Sequence, residues 1–86
     1  DCRKADDDIT QILSSVKHDF ENRCYNTDIF EGKLYKTQVV AGINYFIKVE
    51  TSKEIAHIRV YKSLDSQLTL HSYQLNKEDS DVIEYF

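Results

Sequence analysis

The chain has 86 residues, a net charge of −4, 41% apolar and 12% aromatic residues. That length predicts one domain, residues 1–86, burying about 60–65% of its unfolded surface around one modest core, and the composition excludes an intrinsically disordered chain. No apolar run approaches the ~20 residues of a membrane span, and the 11 Lys and Arg form no basic stripe for neutralising phosphates, which excludes a membrane anchor and nucleic acid as partners.

The chain starts at Asp1 rather than Met, which reads as a processed or excised form, and no signal peptide is visible. "DDDITQILSSVKHDFENR" is the clearest element. Ile9, Ile12, Leu13, Val16 and Phe20 fall at i, i+3, i+4, i+7 and i+11, one face of a helix of four to five turns. Asp6, Asp7 and Asp8 supply an N-cap and negative charge at the positive end of the dipole, while Lys17 and Arg23 lie toward the other end. "NRCYNTD" is turn material that ends it. Cys2 and Cys24 flank this helix. A helix of that length holds its ends about 25 Å apart, and the four residues between Cys2 and the helix start span at most ~14 Å. A disulfide needs Cα atoms within about 7 Å, so two free thiols are expected, with an intermolecular bridge as the alternative.

The remainder reads as strands: "GKLYKTQVV", "INYFIKVE", "EIAHIRVYKS" and "LTLHSYQLN". Alternation puts Ile43, Tyr45, Ile47 and Val49 on one face, Ala56, Ile58 and Val60 on the same face of the next strand, and Leu68 and Leu70 after them. The connections are Ala41–Gly42, Ser52–Lys53 and Leu64–Asp65–Ser66, all hairpin lengths. One helix followed by an antiparallel meander predicts an α+β fold, a sheet of four to five strands wrapped around the helix. The acidic end, "NKEDSDVIEYF", carries Val82, Ile83, Tyr85 and Phe86, which fold back onto the body or add to the last strand.

The two valines of "QVVAG", Gln38 to Gly42, raise a question, because hairpin turns favour polar residues. Either Val39, Val40 and Ala41 form an exposed apolar tip, the usual mark of a contact site, or the turn lies further along and the valines are ordinary strand residues. Pattern alone leaves the two level.

"YKTQVVAGINYFIKV", Tyr35 to Val49, closely resembles the first hairpin of the cystatins, and specifically of the stefins, the type 1 cystatins; Gln38 to Gly42 matches their Gln-x-Val-x-Gly loop. "ITQILSSVKHDFENR", "IRVYKSL" and "YQLNKEDSDVIEYF" are similar to the stefin helix, the strand before the second hairpin loop and the C-terminus, in the same order. The resemblance implies a non-enzymatic, reversible, tight-binding inhibitor of papain-like cysteine peptidases of the cathepsin type, with no cofactor and no metal. In that family the N-terminal trunk and two hairpin loops form a wedge that plugs the active-site cleft. Carried over by position, the first loop is Gln38, Val39, Val40, Ala41 and Gly42, the second is Ser63, Leu64 and Asp65, and the trunk is Cys2, Arg3, Lys4 and Ala5. The chain departs from the stefin pattern twice. No glycine occurs in Asp1–Asp8, where the trunk would carry one, and Leu64 is followed by Asp65, a charged and less rigid residue, where stefins have proline. Both departures predict weaker or more selective inhibition, and the alternative function is a cystatin-fold interaction module with inhibition weakened or lost. The resemblance implies a cytoplasmic location; the non-Met start and two cysteines keep secretion as the alternative. A monomer is expected, with exchange of the hairpin strands between two chains as the alternative.

Other chemistries find less support. Cys2 or Cys24 with His18, His57 or His71 could form a nucleophile and base, but no motif joins them. Pairing Ile58 with Leu70 and Val60 with Leu68 sets His57 opposite His71 as surface imidazoles, too few ligands for structural zinc, whose mutual repulsion near pH 5 lowers stability. The six tyrosines read as sheet and rim residues rather than a base-stacking surface, and the acidic excess shows no calcium-loop spacing.

Overall fold

The apolar stripe becomes a helix because its start is capped. The Asp6 carboxylate accepts from the Ile9 amide at 3.1 Å, Asp7 and Asp8 occupy the first turn and Arg23 the last. The structure, a computed structural model that describes residues 2–86, comprises β1 (Arg3–Lys4), α1 (Asp7–Arg23), β2 (Phe30–Val40), β3 (Gly42–Thr51), β4 (Ile55–Lys62) and β5 (Leu68–Lys77). The strands form one sheet in the order β1-β2-β3-β4-β5, antiparallel throughout. This is the expected α+β arrangement. Ile9, Ile12, Leu13, Val16 and Phe20 of α1 pack on Tyr35, Ile47, Val49, Ala56, Ile58, Val60 and Leu70. Fully burying each large apolar side chain contributes about 1.5–3 kcal/mol. Among the described residues no helix is long and apolar enough to cross a membrane.

The helix packs tightly on the sheet at Gly32. A Cβ there would lie 3.0 Å from Ile9 Cγ2 and 3.1 Å from both Ala5 Cβ and Leu13 Cδ1, and the β2–β3 register slips between Gly32 and Leu34. Beyond the end of β3 the Tyr25 hydroxyl donates to Glu54 at 2.7 Å and lies 3.0 Å from the Thr51 hydroxyl. Burial, followed by that hydrogen bond to the carboxylate, pushes its pKa up to about 12. Arg23 does more than complement the dipole: it donates to the Leu70 carbonyl at 2.6 Å and tethers the edge strand β5 to the helix.

Two expectations about the outer face of the sheet are corrected. A bulge in β5 shifts the register between Arg59 and Val60, so that Arg59 pairs with Ser72 and Val60 with Leu70, leaving His71 as the extra residue. The register already differs by two residues on the loop side of the bulge, where Val60 faces Leu70 rather than Leu68; with the bulge residue added, Ile58 faces Tyr73 rather than Leu70 and His57 faces Gln74 rather than His71. The bulge also changes which parity points inward: Leu68 and Leu70 before it, Tyr73 and Leu75 after it, all pack on the core.

Secondly, His57 is no surface imidazole; it is 1% exposed. The segment after β5 folds back, as its apolar residues suggested, but it crosses the outer face of the sheet and adds no strand. Ile83 is buried, whereas Val82 stays exposed. Phe46 of β3 meets the rings of Tyr85 and Phe86 at 5.0 and 5.5 Å. The Lys48 ammonium, also buried, donates to the carbonyls of Asp79 and Asp81 at 2.6 Å each, and Arg59 donates to the Phe86 carbonyl at 2.7 Å. Lys33 pairs with the Asp79 carboxylate at 3.2 Å.

Neither ring nitrogen of His57 has a hydrogen-bond partner. Burial, with Lys48 and then Lys77 nearby and only Asp81 opposing them, holds its pKa below the ordinary 6.5. The unfolded chain therefore takes up a proton near pH 6.5 that the folded protein still refuses. The contribution of His57 to stability is complete above about pH 6.5 and is lost as pH falls toward the folded-state value. Acid destabilises through a buried neutral imidazole, not through repulsion between two histidines.

Two measurements check this account. The melting temperature is expected to drop between pH 7 and pH 5, and to drop less in His57→Leu; equal drops would show that His57 is not the group responsible. Gly32→Val, which forces three methyl groups apart, is expected to cost about 1–3 kcal/mol of stability in urea unfolding.

Candidate functional site

The β2–β3 ladder stays paired to its end: Val39 faces Ile43, Val40 faces Gly42, and Ala41 alone makes the turn. The valines near the apex are thus strand residues whose strands run out beyond the core. Val39 is 82% exposed and Val40 44%. Gly42 takes φ 111°, in the region that suits glycine, and a Cβ there would collide with the Lys62 carbonyl.

The tip is braced from its outer side. Gln38 pairs with Asn44 across the β2–β3 ladder, and Asn44 with Tyr61 across β3–β4. The Asn44 amide donates to Gln38 Oε1 at 3.2 Å, and the Tyr61 hydroxyl donates to the Ala41 carbonyl at the apex. Gln38 thus braces the loop from within the sheet. Asn44 and Tyr61 were not singled out from the sequence. Their signal was faint: an amide and a phenol at outward positions of strands flanking the "QVVAG" stretch.

The second loop, Ser63 to Gln67, is held by its own backbone. Ser63 N donates to the Gln67 carbonyl and Ser66 N to the Ser63 carbonyl, both at 2.9 Å. The Ser63 hydroxyl donates to the Asp65 carboxylate and accepts from Gln67 N at 3.0 Å. Asp65 was expected to loosen this loop in place of a proline; instead its carboxylate ties down Ser63. Leu64 stands out at 83% exposure. The two loops lie side by side, and a shallow groove of about 300 Å³ between them is lined by Val39, Val40, Gly42, Ile43, Leu64 and Ser66, among others.

The trunk residues form the edge strand beside β2 and do not reach the tip. Arg3 pairs with Tyr35 and Lys4 with Leu34, and Ala5 N donates to the Lys33 carbonyl at 3.1 Å. From Tyr35 to Val39 is roughly 13 Å of strand at about 3.3 Å per residue. Because β1 runs antiparallel to β2, the chain runs away from the tip through Arg3 and Lys4. Ala5 packs on the core, and Cys2 is exposed.

Both cysteines are free. Burial raises the pKa of the Cys24 thiol, which keeps it protonated and a poor nucleophile. His57 is sealed beneath the C-terminal segment. Among the described residues no group of three or more His, Cys, Asp and Glu side chains could hold a metal ion.

The family model described as "Cystatin domain" matches residues 1–80. The chain is 40% identical to Cystatin-A1 of Dictyostelium discoideum over 84 aligned residues, 95% of this chain and 87% of the relative. It is 42% identical to Cystatin-A of Felis catus over 91 aligned positions, 100% of this chain and 93% of the relative. It is also 42% identical to Cystatin-B of Macaca fuscata fuscata over 83, 92% of this chain and 83% of the relative. With the helix, the meander and the paired apolar tip in place, these similarities make the chain a member of the cystatin family, in its stefin or type 1 branch.

Proposed function

We propose that this protein is a reversible, tight-binding, non-covalent inhibitor of papain-like cysteine peptidases of the cathepsin type, and that it acts as a monomer in the cytoplasm. Membership of the cystatin family supports the inhibitor role in general. The observation that carries the specific mechanism is the pair of adjacent, exposed, braced apolar tips, Val39–Val40 and Leu64.

A peptidase cleft is concave and partly apolar. Val39, Val40 and Leu64 would bury their side chains in it, each contributing about 1.5–3 kcal/mol if fully covered. Both loops already hold their shape in the free protein, so little ordering entropy opposes docking. Gln38 and Gly42 then act by shaping the tip, and Ser63 and Asp65 by shaping the second loop. Cleavage requires a substrate strand lying extended across the catalytic thiolate. A hairpin paired up to Val40 and Gly42 does not open into one, and this accounts for binding without turnover. The trunk, Cys2 to Ala5, would flank the first loop, with the two hairpin tips supplying most of the affinity.

Titrating active papain tests the reading. The protein is expected to inhibit stoichiometrically at micromolar concentration, and Val40→Asp to weaken inhibition by about 2 kcal/mol, about thirtyfold, without changing the melting temperature. Full papain activity at micromolar wild-type protein rejects the mechanism in favour of an interaction module without inhibition. Gly42→Ala, which strains the turn by about 1–3 kcal/mol, is expected to weaken inhibition as well as stability.

A further inference from the structure

Ala41, at the apex of the first hairpin, has no ladder partner. Its carbonyl, at the apex, is the acceptor for the Tyr61 hydroxyl, which comes from a different hairpin. The same ring fills the space that Gly42 leaves: a Cβ on Gly42 would lie 3.0 Å from both Tyr61 Cε1 and Tyr61 Oη. Tyr61 is also the cross-strand neighbour of Asn44, whose amide holds Gln38. Gln38, Asn44 and Tyr61 thus form a polar row across β2, β3 and β4, ending on the apex. One residue after Tyr61, Lys62 closes β4 and leads directly into Ser63 and Leu64.

We propose that Tyr61 is a positioning residue of the wedge: its hydroxyl pins the Ala41 carbonyl and so fixes the first loop against the strand that carries the second, before any peptidase is met. This inference rests on the inhibitor reading above. Tyr61 need not touch the peptidase. With the pin in place, Val40 and Leu64 keep one separation and the binding-competent arrangement is the dominant one. Without it, the apex carbonyl turns to water, the turn samples other conformations, and apparent affinity falls in proportion to the competent fraction. The net worth of one hydrogen bond corresponds to roughly a three- to tenfold change. Because the loss is one of preorganisation, it should appear in the association rate rather than in dissociation.

Tyr61→Phe isolates the hydroxyl while keeping the ring against Gly42. Two readouts are taken on the full chain: backbone amide order parameters of residues 40–42 and 63–66 in the free protein, and association and dissociation rates with active papain. The expected result is lower order at residues 40–42 and an association rate reduced roughly three- to tenfold, with dissociation little changed. A merely structural role lowers the melting temperature and leaves the association rate untouched, and that outcome overturns the proposal. So does a slower association with loop order unchanged. Failure of the underlying reading is recognised separately: if wild-type protein leaves papain fully active, the inhibitor reading falls and takes the binding half of this proposal with it, while the order parameters still decide whether the pin exists.

Discussion

The working end of this molecule hangs on one unbroken run of ladder, the pairing of β2 with β3 from Leu34–Lys48 to Val40–Gly42. Because that pairing does not stop where the helix stops, β-branched residues are carried past the core and out into solvent. The ladder fixes where Val39 and Val40 stand, Gly42 lets it close in a single-residue turn, and β4 supplies the carbonyl and the phenol against which the turn rests. Preorganisation is the physical benefit: a tip already ordered by strand pairing loses little entropy when a partner covers it.

A chain this short cannot afford a bare sheet face, and it covers both. The inner face takes the helix, which approaches closely because Gly32 has no side chain. The outer face takes the C-terminal segment, through Ile83 and the aromatic cluster on Phe46. This second cover is costly in polar groups. Lys48 is satisfied by main-chain carbonyls rather than by a carboxylate. His57 and the Asn44 carbonyl oxygen are buried without partners, and each unmade hydrogen bond carries a desolvation penalty. His57 makes this region sensitive to acid.

Most of the architecture was legible from local patterns. A stripe at helical spacing behind an aspartate cap, and alternation in the strands that follow, announce a helix on an antiparallel sheet before any coordinates exist. The two loops were legible through resemblance, and the exposure of the valines then followed from where the turn falls. Three features were not legible. The β4–β5 register depends on where the turn closes, at Lys62–Leu68, and on the bulge at His71, and alternation reveals neither. The burial of His57 depends on a distant segment with no periodicity of its own. The brace from Tyr61 to Ala41 joins residues on separate hairpins, and its two ends carry no shared motif.

What the amino-acid order determined by itself was therefore whatever neighbouring residues decide together: the capped amphipathic helix, the strands and the apolar character of both loops. These follow from backbone preference and from the contrast between apolar and polar side chains a few positions apart. Only the tertiary structure decided that Val40 and Leu64 share one groove, that the trunk strand stops level with Tyr35, that Asp65 braces its loop, and that His57 lies sealed while His71 does not. Each of these depends on register and on which distant segment covers which face, and both are settled by the packing of the whole chain.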